Sequence, residues 1–478
     1  MDKNSITGIV LICAIMFAWM WYSAPSKEEI AKKRIQDSLA LVAQQQARKD
    51  TVSRQLSVDS SITNAKQLTT NNGQLTNSDS AKAVTLVNKY DVFASAASDS
   101  NVFFSLENKK IKATISKKGG RICSVQLKEY LTHDSLPLIL FDSDSSSFGL
   151  LFDTENNRTI NTSELYFQPI AGKNDSTQTL SMRLYANADI TGKSNQYIEY
   201  EYSLGKDYML GCKLNFVGLE KIVANNLSEF SLNWAMKTPT QEKDIVTQQQ
   251  NSTAYFKYME EDPDETGDET KTLDAKTKWV AFKQQFFTSV LIADNFFDKT
   301  GADVTSHNET TSAKYVKSYS SNLTVPYFHK DKETFGMKFY FGPNHFQTLK
   351  SYDLNLEKQI PLGWGIFGWV NKFLVIPVFN FLDSFNLNYA IIILCLTLVF
   401  KILLFPVAYK TYVSSAKMRV LKPEIEELNK KFGTEDAMKK QQATMALYKK
   451  AGVSPLAGCI PALLQMPILL ALFRFFPA

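Results

Sequence analysis

The sequence predicts a multidomain membrane protein, in which a large all-β domain that folds in water is followed by an α-helical membrane core. Three features predict it. Short runs of alternating apolar and polar residues recur from about 100 to 345, an apolar stretch long enough to span a bilayer occupies 389–409, and a charged helical hairpin separates that stretch from a final apolar segment.

The composition of the 478 residues, 44% apolar and 21% charged, looks like that of a soluble protein, but the average hides a segregation. Polar stretches fill most of the first three quarters, and very apolar runs crowd the last hundred or so residues. A net charge of +5 is too small and too evenly spread to call for nucleic acid, so no specific nucleic-acid partner is expected. The five cysteines (Cys13, Cys123, Cys212, Cys395, Cys459) form no CxxC pair and no zinc spacing. Cys123 and Cys212 are the two that could bridge in an oxidising compartment, and free buried thiols are the competing reading.

Residues 6–22 suit either a short spanning helix or a signal peptide. Pro25 after the only small-residue cleavage position, Ala24, with large residues upstream, favours an uncleaved transmembrane anchor at 1–25. Residues 26–85 then read as a charged stalk and a linker rich in Ser, Thr, Asn and Gln. The β domain is expected over 86–350. In YIEYEYSL, Ile198, Tyr200, Tyr202 and Leu204 share one face; in the next run Tyr208, Leu210, Cys212, Leu214 and Phe216 do the same, which predicts a two-sheet sandwich. The four histidines are scattered and no nucleophile, phosphate-loop or metalloprotease motif appears, so no catalytic residue and no cofactor are expected. The acidic run at 260–269 places Asp262, Asp264 and Gly267 at calcium-loop offsets, but Leu273 stands where a bidentate Glu is required, so a solvated acidic loop is expected and no metal.

Residues 360–386 carry Trp364, Phe367, Trp369, Phe373, Phe379 and Phe385 on a broad apolar surface and Lys372, Asn380 and Asp383 on a narrower polar one. An amphipathic helix lying in the membrane interface fits this better than a short span. The next segment, 388–410, spans convincingly except for Lys401, about 18 Å beyond Tyr389 at 1.5 Å per residue and therefore past the midplane. A lysine there costs roughly 2.5–3.5 kcal/mol on insertion scales. Thr397 one turn earlier makes a local polar patch. Two readings stay open: a wet functional site, or a side chain snorkelling to the headgroups.

A cytoplasmic helical hairpin is expected over 411–454. Met418, Leu421, Ile425, Leu428 and Phe432 repeat at helical spacing on the way out, and Met438, Gln441, Met445 and Tyr448 on the return. Gly433 and Thr434 supply a stop and a cap, Gly452 and Pro455 end the second helix, and Pro423 predicts a bend or restart. Ten basic residues against five acidic ones between 410 and 450 put this short loop in the cytoplasm and the β domain on the other side. The final segment, 455–478, returns through the membrane. Its Pro461, Pro467 and Gln465 need helical neighbours, so the sequence is expected to belong to a longer chain.

The residues LVFKILLFP (398–406), AKMRVLKPEI (416–425) and MALYKKAGVSPLAGCIPALLQMPILLAL (445–472), with KWVAFKQQFFTSVLI (278–292) and FGPNHFQTLKSY (341–352) in the β domain, resemble the YidC/Oxa insertase family of bacteria with two membranes. The resemblance implies a periplasmic β-supersandwich similar to sugar-mutarotase folds, an interfacial helix, and an α-helical insertase core that is incomplete in this chain. It further implies a hydrophilic intramembrane groove holding Lys401, Thr397 and Gln465, and a hairpin contact surface for nascent chain or ribosome including Lys417, Met418, Arg419 and Met445. Many relatives carry arginine at the groove charge; lysine keeps the charge but loses the planar fork. The implied partners are nascent membrane proteins, the Sec translocon and accessory subunits, a ribosome or targeting particle, and membrane lipid, at the bacterial inner membrane. Two alternatives are kept: a periplasmic sugar-binding module with a membrane anchor, which needs a convergent polar cleft, and a secondary transporter, which needs more spans and internal repeats.

Overall fold

The computed structural model describes residues 85–171, 178–189, 192–310, 312, 314–363, 365–385, 387–432, 437–452 and 460–475, all within the compact unit Asn77–Ala478. The expected anchor, nearly all of the stalk and linker, Trp364, the hairpin tip with Gly433 and Thr434, Pro455 and Cys459 lie outside the described residues.

Four strands, β1 (Phe103–Glu107), β2 (Ile111–Ser116), β3 (Ile122–Leu131) and β4 (Pro137–Phe141), form one sheet in chain order. The remaining strands form a second, larger sheet. They are β5 (Ser146–Asp153), β6 (Thr159–Asn161), β7 (Gln168–Ala171), β8 (Gln178–Tyr185), β9 (Tyr197–Leu204), β10 (Met209–Val217) and β11 (Glu229–Pro239), continuing after helix α1 (Ile245–Gln250). Beyond α1 come β12 (Thr253–Tyr258), β13 (Asp264–Glu265), β14 (Thr270–Thr272), β15 (Thr277–Lys283), β16 (Phe287–Asn308), β17 (Tyr315–Pro326) and β18 (Lys332–Pro343). The main path of this sheet runs β6-β5-β11-β17-β16-β18-β10-β9-β8-β7. Adjacent strands are antiparallel, as expected of a sheet that keeps one face wet.

Alternation does what it should. Along β11 every second residue is buried, and the stripe Tyr208, Leu210, Cys212, Leu214, Phe216 is sealed inside. Aromatic rings fill the space between the layers: Trp234 stacks on Phe282 at 4.0 Å, Phe282 on Tyr319 at 5.0 Å, and Phe148 meets Tyr200 edge-on at 5.8 Å. The polar face of β9 departs from the simple pattern at Glu199, which is also buried. It survives there because Arg183 Nε (2.6 Å) and Asn215 Nδ2 (2.8 Å) both donate to it. Gly120 is required where it stands: its φ is +59°, and a Cβ would lie 2.7 Å from the Phe167 ring. Cys123 and Cys212 are free, buried thiols. Burial pushes Cys123 up to about 11 and Cys212 up as well, so both stay protonated and unreactive.

Helix α2 (Phe346–Lys350) closes the β domain. The helices that follow are α3 (Ile366–Val370), continued through a π turn at Asn371–Val375 into α4 (Ile376–Asp383), then α5 (Tyr389–Val420), α6 (Lys422–Phe432), α7 (Ala437–Lys450) and α8 (Ile460–Phe475). Residues 366–383 and 389–420 are long and apolar enough to cross a membrane. The spanning helix runs on well past 410, and the break falls at Leu421, so Pro423 sits in the first turn of α6 where its missing N–H is not needed.

Candidate functional site

Helix α5 is started by Asn388, whose Oδ1 accepts from the Ala390 N–H at 2.9 Å. With 32 residues it is roughly 48 Å long, more than the roughly 30 Å of hydrocarbon it would cross. One stripe of it is buried: Ile392, Leu396 and Phe400, four residues apart. Leu396 and Phe400 pack with Val370, Val375 and Ala471 of the neighbouring helices. The adjacent stripe, one residue further round, contains Ile393, Thr397 and Lys401, and Thr397 and Lys401 are both exposed. The Thr397 hydroxyl donates back to the Ile393 carbonyl at 2.8 Å, which satisfies it within the helix. Among the described residues no carboxylate pairs with Lys401.

Helix α8 runs antiparallel to α5. Phe379 of α4 meets both Phe475, near the end of α8, and Tyr389, at the start of α5, with ring centres 5.4 and 6.4 Å apart. From that shared aromatic level, Gln465 lies ten residues down α8 and Lys401 twelve down α5, about 15 and 18 Å respectively. The two are therefore at similar depth, and Gln465 is also exposed. No hydrogen bond joins Thr397, Lys401 and Gln465 among the described residues.

The residue the sequence reading passed over is Asn371. Fully buried at the start of the π turn, it donates through Nδ2 to the Leu362 carbonyl (2.7 Å) and to the Ala471 carbonyl of α8 (2.8 Å). One amide thus ties three pieces together: the connection from the β domain, the amphipathic helix and a membrane helix. An asparagine amid apolar residues in such a helix is the signal that was available, because a buried amide requires partners.

In the hairpin, Met418, Leu421, Ile425 and Leu428 are half-buried, while Lys417 and Arg419 are exposed. The return helix keeps Tyr448 of the expected stripe and corrects the rest. Ala443, Thr444, Leu447 and Tyr448 are its sheltered residues, whereas Met438 and Met445 stand 78% and 51% exposed. Met445 is about 200° of helix rotation from both Ala443 and Leu447, so the two faces cannot be buried together. Gly452, at φ +63°, ends α7.

In the β domain the two segments that carried the resemblance meet. KWVAFKQQFFTSVLI forms the β15–β16 hairpin, and Asn344, just after β18, donates to the carbonyls of Gln284 (3.0 Å), Gln285 (3.2 Å) and Phe287 (3.3 Å) in its turn. Trp279 Nε1 donates to the Leu354 carbonyl at 2.9 Å, which fastens the exit segment to the core. The histidines do not converge: His133 bonds the Gln241 carbonyl, His329 the Leu227 carbonyl, His345 the Thr348 hydroxyl, and His307 is exposed. The carboxylates of the acidic run are met by lysines instead: Lys358 on Asp262, Lys271 on Asp264 and Lys317 on Asp268.

Comparison with known proteins matches both parts. Residues 104–377 match the family described as YidC periplasmic domain, and residues 381–478 the family described as 60Kd inner membrane protein. The chain belongs to the YidC family of membrane protein insertases. A YidC insertase of Parabacteroides distasonis is 40% identical over 494 aligned residues, covering 100% of this chain and 74% of that protein. That of Phocaeicola vulgatus is 36% identical with the same coverage. Among solved structures, an active YidC insertase crystal structure with its first transmembrane domain resolved is 15% identical and covers 82% of this chain and 76% of that one, at a TM-score of 0.28. A galactose mutarotase-like protein from Lactobacillus casei is 9% identical over 50% of this chain and all of its own, at a TM-score of 0.33. The YidC matches agree with the architecture above, an all-β periplasmic domain joined to a helical core, and with membrane protein insertion at the inner membrane. They give no support to the sugar-binding or transporter alternatives.

Proposed function

We propose that this chain lowers the barrier to membrane insertion through a hydrophilic groove lined by Thr397, Lys401 and Gln465, without any covalent step or cofactor. The observation that carries this is the polar stripe of α5. It lies beside the packed stripe, at the depth of Gln465 on α8, with its polar ends exposed. A cation at that depth is tolerated only where water or a polar partner reaches it. Local water there shortens the path over which the polar flank of a substrate faces hydrocarbon, and the ammonium attracts an acidic tail in a region of low dielectric.

The hairpin supplies first contact with nascent membrane proteins or with the ribosome or targeting particle. Exposed Met438 and Met445 offer an adaptable apolar surface on the same hairpin as the exposed cations Lys417, Arg419 and Lys449. The chain acts alone or beside the Sec translocon, as a multi-pass protein with the amphipathic segment 366–385 in the membrane interface, where exposed Trp369, Phe373, Phe381 and Phe385 meet lipid.

Complementation of an insertase-depleted strain tests the groove. Lys401→Ala is expected to impair insertion of small membrane proteins with acidic translocated tails, and Lys401→Arg to restore it. Equal rescue by the alanine variant for every substrate would exclude an essential groove charge.

A further inference from the structure

Where the β domain meets the helices there is a cleft of about 400 Å³ with a mixed lining. Phe379, Ile393 and Phe475 supply apolar walls, and His345 at the exit of the β domain, with Asn380 and Asp383 near the end of α4, supplies polar ones. Tyr389 and Ile393 of the lining belong to the first turns of α5, the level at which that helix leaves water for hydrocarbon on the proposed reading. An amphipathic occupant is required, because a wholly polar ligand leaves three apolar walls wet and a wholly apolar one strips water from a carboxylate.

The charge decides which amphiphile. Asp383 is exposed, and among the described residues no lysine or arginine forms an ion pair with it. His345 does not supply the missing cation: desolvation pushes its imidazole below the ordinary histidine value, the Asp383 charge opposes without reversing this, and the ring is neutral at pH 7. Its Nδ1 is already engaged by the Thr348 hydroxyl at 2.8 Å. The polar part of the lining therefore carries one net negative charge beside neutral hydrogen-bonding groups. An anionic headgroup is repelled there, and an ammonium is attracted.

We propose that this cleft is a specific site for a phosphatidylethanolamine of the surrounding bilayer, with its ammonium on Asp383, its polar backbone beside Asn380 and His345, and an acyl chain along Phe379, Ile393 and Phe475. The proposal rests on α5 entering the membrane at Tyr389, and not on the groove role of Lys401. A lipid seated there fills the junction that Asn371 also ties through Leu362, and makes the stance of the periplasmic domain sensitive to headgroup composition.

The test is lipid retention by the full chain. The protein is reconstituted in nanodiscs of equal parts phosphatidylethanolamine and phosphatidylglycerol, extracted in mild detergent, and the retained lipids are counted by native mass spectrometry. The unaltered chain is expected to keep phosphatidylethanolamine in preference to phosphatidylglycerol. Asp383→Asn, isosteric at an exposed position, is expected to lower that preference about tenfold through loss of one charge-assisted bond, and Asp383→Glu to preserve it. Ile393→Trp, which crowds the apolar lining, is expected to abolish the preference for phosphatidylethanolamine. Equal retention of the two lipids by the unaltered chain overturns the site, as does unchanged selectivity in Asp383→Asn. A photo-reactive residue at position 393 that captures polypeptide instead of lipid also overturns it. Lys401→Ala separates the readings: lost insertion with lipid selectivity intact leaves the cleft standing, and lost selectivity in the Asp383 variant is read without reference to insertion.

Discussion

In the β domain Trp279, Tyr200 and Phe230 are sealed from solvent, whereas along α5 Ile402, Phe405 and Tyr412 stand 71%, 64% and 80% exposed. The same kinds of side chain meet opposite fates a short distance apart in sequence. Within the β domain the strands supply each other's apolar surface, and at about 25 cal/mol per Å² that burial is the main source of stability. The helices bury only a narrow seam, Val370, Val375, Leu396, Phe400 and Ala471, and leave much of their remaining carbon exposed. Polar groups are handled in the reverse way. The β domain buries Glu199 and Lys317 with partners in hand, while the helices expose Lys401 and bury chiefly Asn371.

If the two regions really draw on separate sources of stability, damage to one should spare the other. The largest expected effect is that of Trp279→Ala, which removes a fully buried indole and its bond to the Leu354 carbonyl. A loss of about 4 kcal/mol is expected, read as a lower urea midpoint for the β-sheet circular dichroism of the chain in detergent. The helical signal should persist at that midpoint. Simultaneous loss of both signals would mean that the regions unfold as one and would break the comparison.

Asn371→Leu addresses the opposite side. Two hydrogen bonds at about 1 kcal/mol net each are lost, and two carbonyls are stranded in an apolar seam, so about 2–3 kcal/mol should go from the docking of the amphipathic helix. Amide hydrogen exchange over 366–383 is expected to rise by at least tenfold, while the urea midpoint of the β domain stays put. Unchanged exchange would demote Asn371 from a latch to a bystander.

How much of this was legible depends on whether the determinant is local. Alternation along β9 and β10 gave the buried stripes residue by residue, because period-two geometry leaves no other solution once one face is dry. The span 389–409 and the charge of its hairpin were equally readable, since both rest on composition. The return helix of the hairpin was not. Met438, Gln441, Met445 and Tyr448 repeat at helical spacing, but so do Ala443, Thr444, Leu447 and Tyr448, and only the partner helix chooses between them. Nor was the meeting of Asn344 with the 284–287 turn, or of Asn371 with Ala471, which joins residues a hundred apart. Depth along a helix follows from counting, and so Lys401 was placed about 18 Å beyond Tyr389; its level relative to Gln465 rests on the meeting of Phe379 with Tyr389 and Phe475, and the cleft beside Asp383 likewise needed coordinates.

Buried charge offers a subtler contrast between the regions. Lys283, in the β domain, has its ammonium on the Asn251 carbonyl at 2.8 Å, and burial pulls its pKa down to about 8 while Glu265 opposes. Its ordinary value is 10.5, so between those limits the unfolded chain binds a proton that the folded chain does not, and stability rises with pH. From pH 7 to 9.5 this group alone contributes about 2 kcal/mol, while Cys123, Cys212 and the buried tyrosines, all held above their ordinary values by burial, oppose it because the unfolded chain loses their protons first. Lys283→Met should therefore make the urea midpoint fall between pH 7 and 9.5 relative to the unaltered chain, whereas Lys401→Ala should leave the pH profile unchanged. A profile that Lys283→Met does not alter would assign the lysine contribution to another group.

The smallest effect sharpens the comparison at the boundary itself. Asn388 caps α5 through a single bond to the Ala390 N–H, at the margin proposed above for the passage from water to lipid. In water an asparagine cap is worth about 1 kcal/mol over alanine, because solvent takes over the orphan N–H groups once the cap is gone. In hydrocarbon no solvent is available and the penalty grows. Asn388→Ala should therefore speed hydrogen exchange at Ala390 and Ile391 about fivefold if the first turn of α5 sits in the wet interface. An increase of a hundredfold or more, or loss of the helix start altogether, would put that turn inside the hydrocarbon and move the whole register of α5, Lys401 included, about a turn deeper.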